Sequence, residues 1–456
     1  MAGISFELRK LLAKRSFSSI VASFFYSTAL AAGPWVISIL AIIFAGVWVA
    51  QITGDVTNVR TSQVIITYIM ALSLIASGPF QLLFSRYVSD RLFEKQSDRV
   101  LPNLLGALIL SMFLGLFVSL LFLRGWLFEL SPHLVILFTV TTVFASSFWV
   151  ANTLLTSLKS YKYILFSFVF GFLLMVLLAP YFQEYSEYGF LYAYAIGFLV
   201  VYFLLLAAIF REFPSNRLLE FDFLKRNRVF YSLALSGLFY NLAIWIDKFE
   251  FWHSKVTGVT ILGPFKASFI YDIPMFLAYL SIAPGMGFFF LKLEGEFAQH
   301  YQRYYDAVRE GETLIRIFEI GYDLINSVRT FVQEVLRIQA VTLVIIFLLE
   351  VGLFKLFRLS LVYIPLFNIL AVATSLQLLF IVVLSLLFYF DLRREALIST
   401  AIFLVTNALF TYVTLHLGPY FYGYGFLFSL LVSFVVALIF LRRFLYDVHY
   451  KTFMFA

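Results

Sequence analysis

Apolar residues in this chain come in unbroken runs of about 17–26, parted by short polar stretches. A helix that crosses a bilayer needs roughly 20 predominantly apolar residues, and each run meets that requirement. The runs lie near 24–50, 63–84, 101–123, 134–158, 164–182 and 191–210, then near 231–252, 271–291, 340–357, 365–390, 397–415 and 424–441. The pattern predicts an all-α polytopic membrane protein of about twelve transmembrane helices in two six-helix bundles. The first bundle takes residues 1–210 and the second 231–441. Residues 211–230 form a hydrophilic linker, read as a solvated hinge, and 442–456 a tail.

Two segments show helical alternation instead. Residues 3–15 place Ile4, Leu8, Leu11 and Leu12 on one face, with Arg9, Lys10 and Lys14 elsewhere. That is the pattern of a helix lying in the membrane interface, or more simply of a basic anchor. Near 306–338, Leu314, Phe318, Tyr322, Ile325, Val328, Val332 and Val335 recur every three or four residues between charges. This helix either packs on its own protein or the bilayer surface, or offers a docking face to a cytoplasmic partner.

The costliest stretch runs from Asn241 to Glu296. Its first apolar run carries Asn241, Asp247, Lys248 and Glu250; Asp272 opens the second. A charge near the bilayer centre costs roughly 2.5–3.5 kcal/mol on insertion scales, so such groups usually face protein or water. Either these residues wall a polar, wet path or they snorkel from the outer end of their helix. Glu350 in span 9 is the deepest acid. It is a candidate for proton or ion coupling, or else a structural partner of a neighbouring helix or of Lys355. Pro34, Pro79, Pro274 and Pro284 interrupt spans 1, 2 and 8. Each frees a carbonyl one turn back, which makes a packing kink or a hinge. Spans 2 and 8 also end alike. Gly78-Pro79 is followed by Arg86 and Asp90, and Pro284-Gly285 by Lys292, Glu294 and Glu296. This suggests a parallel repeat, a pseudo-two-fold about the membrane normal.

Composition narrows the classes. Of 456 residues 62% are hydrophobic and 13% charged, with mean hydropathy +0.94. Absence of cysteine excludes disulfides, thiolate metal sites and a cysteine nucleophile. The net charge of +7 reflects loops and not nucleic acid: with the N-terminus inside, 26 Lys and Arg fall in cytoplasmic segments and 6 in outer loops. Both termini are then cytoplasmic. Ala29-Leu30-Ala31 imitates a cleavage site, but the apolar run continues to Val49, too far for a signal peptide. No nucleotide-binding, zinc-protease or serine-hydrolase motif occurs, and His133, His253, His300, His416 and His449 are scattered. Neither enzyme activity, cofactor nor metal is expected. Tyrosines cluster at outer span ends, as Tyr181, Tyr185, Tyr188, Tyr192 and Tyr194 do, and read as interfacial belts or as stacking faces for sugar rings.

Several stretches resemble the Pel exopolysaccharide exporter family. They are Met1 to Leu12, Ala32-Gly-Pro-Trp35, and Asp247-Lys248 through Thr257-Gly258, Tyr271-Asp272, Phe276 to Leu280 and Pro284 to Tyr304-Tyr305-Asp306. That family looks like a branch of the multidrug/oligosaccharidyl-lipid/polysaccharide flippase superfamily. The resemblance implies two six-helix bundles around a central cavity in a bacterial inner membrane. It implies outward passage of a hexosamine-rich polysaccharide beside a cytoplasmic glycosyltransferase and membrane partners, one a cyclic-di-GMP receptor. Two rivals stay open: a flippase or cation-coupled antiporter on the same fold, and a membrane scaffold for a polysaccharide synthase.

Overall fold

A computed structural model describes residues 27–28, 31–157, 161–225, 230–356 and 359–454, and they are helical almost throughout. The helix expected over 3–15 lies outside the described residues. Among the described residues, eleven helices are long and apolar enough to cross a membrane. The helix Tyr231–His253 also has spanning length, but Asn241, Asp247, Lys248 and Glu250 lower its apolarity. The all-α, multi-span class read from the sequence is the class observed. By internal packing the chain forms two compact units, one of Gly33–Ser268 and one of Phe269–Ala456 with the residues before Gly33.

The first unit contains α1 (Gly33–Thr53), α2 (Val56–Phe93), α3 (Val100–Leu123), α4 (Pro132–Ser157), α5 (Tyr161–Tyr185), α6 (Gly189–Glu212) and α7 (Tyr231–His253). An antiparallel hairpin, β1 (Val259–Leu262) and β2 (Phe265–Ala267), closes it. The unit therefore runs past residue 210 and takes in span 7. Its axis is α2, which packs on α3, α4 and α7. Asp55 caps α2, accepting from the Asn58 amide at 3.1 Å.

The linker is docked, not a solvated hinge. Phe223 is fully buried against Phe84 and Tyr87. Asp222 is 4% exposed and paired with Lys225 at 2.6 Å and Arg99 at 3.6 Å. Asn103 on α3 accepts from the Asp222 amide at 2.6 Å and donates to Glu220 at 3.1 Å. An apolar anchor with its flanking polar groups satisfied outweighs the chain entropy that would keep a hydrophilic segment loose.

The second unit contains α8 (Phe269–Ser281), α9 (Ala283–Lys292), α10 (Ala298–Arg309), α11 (Leu314–Leu356), α12 (Ile364–Tyr389), α13 (Arg393–Leu417), α14 (Tyr424–Tyr446) and α15 (Val448–Met454). A wide, π-type turn at Leu293–Phe297 joins α9 to α10. Its axis is α12, against which α8, α11 and α14 pack. The helix expected near 306–338 is instead two helices parted around Gly311, and α11 continues unbroken into span 9. At 1.5 Å per residue its 43 residues reach about 64 Å, twice a hydrocarbon core. The expected apolar stripe holds only in its second half: Val328 and Val335 are buried, whereas Leu314, Phe318 and Tyr322 are exposed and Ile317, Ile320 and Leu324 are buried in their place. Spacing finds a helix but not its packed face when both faces carry apolar residues.

Candidate functional site

The polar residues of α7 sit where that helix meets α2. Both helices offer glycine there: a Cβ on Gly237 would collide with the Gly78 carbonyl, and one on Gly78 would lie 2.9 Å from the Asn241 amide nitrogen. Close backbone approach through small residues is the usual way helices associate where lipid offers no hydrophobic drive. Asn241, 6% exposed, is thereby held beside Pro79, whose ring leaves the Ile75 carbonyl without its helical donor.

One turn and a half further on, Asp247 is fully buried and Lys248 is 5% exposed. Lys248 Nζ folds back to donate to both Asp247 oxygens, at 3.2 and 3.1 Å, and to the Ile244 carbonyl at 2.8 Å. Snorkelling does not describe them, since both are withdrawn from the surface. Glu250 is half-buried, and its Oε2 has no hydrogen-bond partner.

Beyond Glu250 the unit is closed by aromatic packing. Trp252 lies 4.6 Å from the Tyr68 ring, and Phe265 of the hairpin is enclosed by Tyr68, Phe122 and Phe138 at 5.2–5.5 Å. The Tyr68 hydroxyl donates to the Lys266 carbonyl at 3.0 Å and accepts from its amide at 3.2 Å. Gly263, at φ +52, supplies the left-handed residue that a two-residue hairpin turn requires. The sequence signal for this hairpin is Val259-Thr260-Ile261 followed by Gly263-Pro264.

Asp272 belongs to the second unit, half-buried in the first turn of α8, where the helix dipole favours an acid. Span 8 is broken: α8 ends at Ser281 and α9 starts at Ala283, with Pro284 in its first turn and Pro274 inside α8. Neighbouring side chains cover the break. Gln339 donates to Ser375 Oγ at 2.9 Å and to the Ser281 carbonyl at 3.4 Å, and Thr374 donates to the Ala278 carbonyl at 3.1 Å. Pro34 lies in the first turn of α1, where a missing N–H costs little. Glu350 meets Asn368 of α12 at 3.4 Å. The α7 quartet is thus brought together on one helix, while Asp272 and Glu350 are on other helices. Sequence reading missed Gln339, Ser375 and Thr374, whose only signal is polarity inside apolar runs.

Comparison with known proteins agrees with this architecture. A family model described as PelG, "Putative exopolysaccharide Exporter (EPS-E)", matches residues 1–453. No curated protein matches the sequence. Among solved structures, the chain resembles an outward-facing multidrug resistance MATE family transporter of the MOP superfamily: TM-score 0.63, 16% identity, 93% of this chain and 96% of that one. It also resembles a MOP superfamily transporter from Pyrococcus furiosus whose binding pocket has reversed polarity: TM-score 0.64, 16% identity, 94% and 96% covered. At such identity these likenesses establish the fold. The chain is a multi-pass membrane protein with the MATE-like fold, and it belongs to the PelG exopolysaccharide exporter family.

Proposed function

We propose that this protein passes a hexosamine-rich exopolysaccharide, Pel, from cytoplasm to periplasm through a bacterial inner membrane, with both termini cytoplasmic. The observation that carries the reading is an exporter family model spanning residues 1–453 of a transporter fold. A cytoplasmic glycosyltransferase supplies the polymer, and membrane partners including a cyclic-di-GMP receptor set when it runs. The protein itself moves substrate and makes no bond.

In this reading the polymer's path runs along Asn241, Glu250 and Asp272, and the buried Asp247 and Lys248 stand behind its wall. A partly deacetylated glycan is cationic. Acids attract it, and the Lys248 charge beside Asp247 keeps that attraction weak enough for release. Pro34, Pro79, Pro274 and Pro284 are the hinge candidates of this reading, and Glu350 is its candidate for proton or ion coupling. In polymer-producing cells, Asp247→Asn with Asp272→Asn should lower secreted polymer several-fold while membrane insertion stays normal. Unchanged secretion would retire this path.

The superfamily fold favours one further reading, a flippase for a lipid-linked oligosaccharide or a cation-coupled antiporter. Liposomes holding the protein alone, supplied with a labelled lipid-linked sugar, separate the two. Flipping without the glycosyltransferase supports the second reading. A scaffold role is separated by a variant that still recruits the synthase but exports nothing.

A further inference from the structure

Span 3 faces lipid over only part of its length. Ile109, Phe113, Leu116, Phe117 and Leu120 recur every three or four residues along α3 and are exposed, Phe113 by 65%. On a multi-pass membrane protein, an apolar stripe left open in this way is met by lipid. Toward the start of α3 the stripe stops. Residues 100–104 and 106–108 are all buried.

What covers them is the linker. The Glu220 amide donates to the Pro102 carbonyl at 3.1 Å. A Cβ on Gly106 would collide with the Glu220 carbonyl and lie 3.0 Å from the Phe221 ring. Gly106 stands one turn before Ile109, so Phe221 occupies the place on the stripe that glycine leaves bare. The covering segment in turn presents apolar side chains outward: Leu218 is 85% exposed, Leu219 46%, Phe221 40% and Leu224 41%.

The depth of this surface follows from the charges that bracket α3. Arg99 and Arg124 lie about 37 Å apart along the axis at 1.5 Å per residue. A hydrocarbon core of about 30 Å centred between them begins near Pro102 and leaves Gly106 about 7 Å inside. The segment suits that position. Its charges cancel in pairs, Arg217 with Glu220 at 2.7 Å and Lys225 with Asp222 at 2.6 Å. Asn103 Oδ1 accepts from the amides of Asp222 and Phe223, and the Leu224 amide donates to the Phe221 carbonyl at 3.1 Å. Irregular backbone is tolerated at membrane depth where protein meets its polar groups.

We propose that residues 218–224 form a lipid-binding strap. Leu218, Leu219, Phe221 and Leu224 enter the bilayer at the boundary between headgroups and hydrocarbon, where they extend the lipid-facing stripe of span 3. The ligand is a phospholipid surface, held by contact with acyl chains. The strap does not rest on the exporter reading, since it follows from the covered end of α3 whatever the substrate.

The chain lacks cysteine, which allows a direct test. Leu218→Cys, Phe221→Cys and, as a polar control, Asn216→Cys each carry a nitroxide in vesicles of phosphatidylethanolamine and phosphatidylglycerol. Oxygen concentrates in lipid, whereas a nickel chelate stays in water. The strap predicts an oxygen-to-nickel collision ratio several-fold higher at positions 218 and 221 than at 216. A ratio equal to that at 216 would overturn it. So would protection from both reagents, which marks a protein cover. Should Phe221→Cys fail to fold, wild-type protein photolysed with a diazirine-bearing phospholipid answers the same question. Adducts on the tryptic peptide Leu218–Lys225 support the strap, and adducts on α3 with none on that peptide contradict it.

Discussion

Spans 2 and 8 each carry a proline at a similar point and respond to it in opposite ways. In the first unit α2 runs through Pro79 as one helix of 38 residues. In the second, the chain stops at Ser281 and restarts at Ala283. The proline is the same; the neighbours differ. Next to Pro79, Gly78 meets bare backbone at Gly237, so the two helices approach closely and α2 continues. Near Pro284, Gln339 donates to the Ser281 carbonyl and Thr374 to the Ala278 carbonyl of the opened helix, while Ser375 accepts a second bond from Gln339. A helix break in a membrane survives only where its freed groups find partners. The far ends of the two spans nevertheless match, with Arg86–Asp90 at 3.1 Å and Lys292–Glu296 at 2.7 Å, each four residues apart.

The largest effect that could break this comparison is at the glycine contact. Gly237→Leu drives a side chain into the backbone of α2, and overpacking of that kind costs about 3 kcal/mol or more. Inserted protein should fall to a small fraction of wild type on membrane immunoblots; normal levels would mean the contact yields. Next comes the docked linker. Phe223→Ala removes a buried ring at a cost of about 3 kcal/mol, read as a lower unfolding temperature and faster proteolysis after Arg217. Wild-type protection would return the linker to the role of a loose tether.

The staple over the span 8 break should matter less. Gln339→Leu leaves the Ser281 carbonyl unserved, and a membrane hydrogen bond contributes about 1 kcal/mol, so unfolding shifts by a few degrees. The smallest effect is a pH dependence of the tail helix α15. His449 rests on Gly321 and the Phe318 ring, and its Nδ1 lies 3.2 Å from the Tyr304 hydroxyl. Burial pulls its pKa below the ordinary histidine value, so the docked state favours the neutral ring. Docking is therefore complete above that ordinary value and weakens as pH falls through the depressed one. Hydrogen-exchange protection factors over 448–454, corrected for the intrinsic pH dependence of exchange, should fall a few-fold between about pH 7 and pH 5, and His449→Phe should abolish the change.

Much of the fold was legible because lipid imposes one strong rule: every spanning helix must be long and apolar. The broken span 8 was announced by Pro274 and Pro284, but Pro79 made the same announcement for α2 without a break following. The difference lies in Gln339 and Thr374, far along the chain, and one sequence does not reveal which helices neighbour each other. The linker was misread because few of its apolar residues are anchors: Phe213 and Phe223 are buried, whereas Leu218, Leu219 and Phe221 are exposed, and spacing does not tell them apart. Of the candidate site, the grouping on α7 followed from spacing alone. The inward fold of Lys248 onto Asp247 did not, since side chains adjacent in a helix ordinarily diverge.

The absence of cysteine makes the central claim directly testable. Single cysteines at Asn241 and Glu250 can be treated with a water-soluble, membrane-impermeant thiol reagent in cells that do or do not produce polymer. A wet path along α7 predicts that both positions react and that polymer in transit slows the reaction several-fold. Cysteines that never react, or that react equally in both kinds of cell, would contradict it.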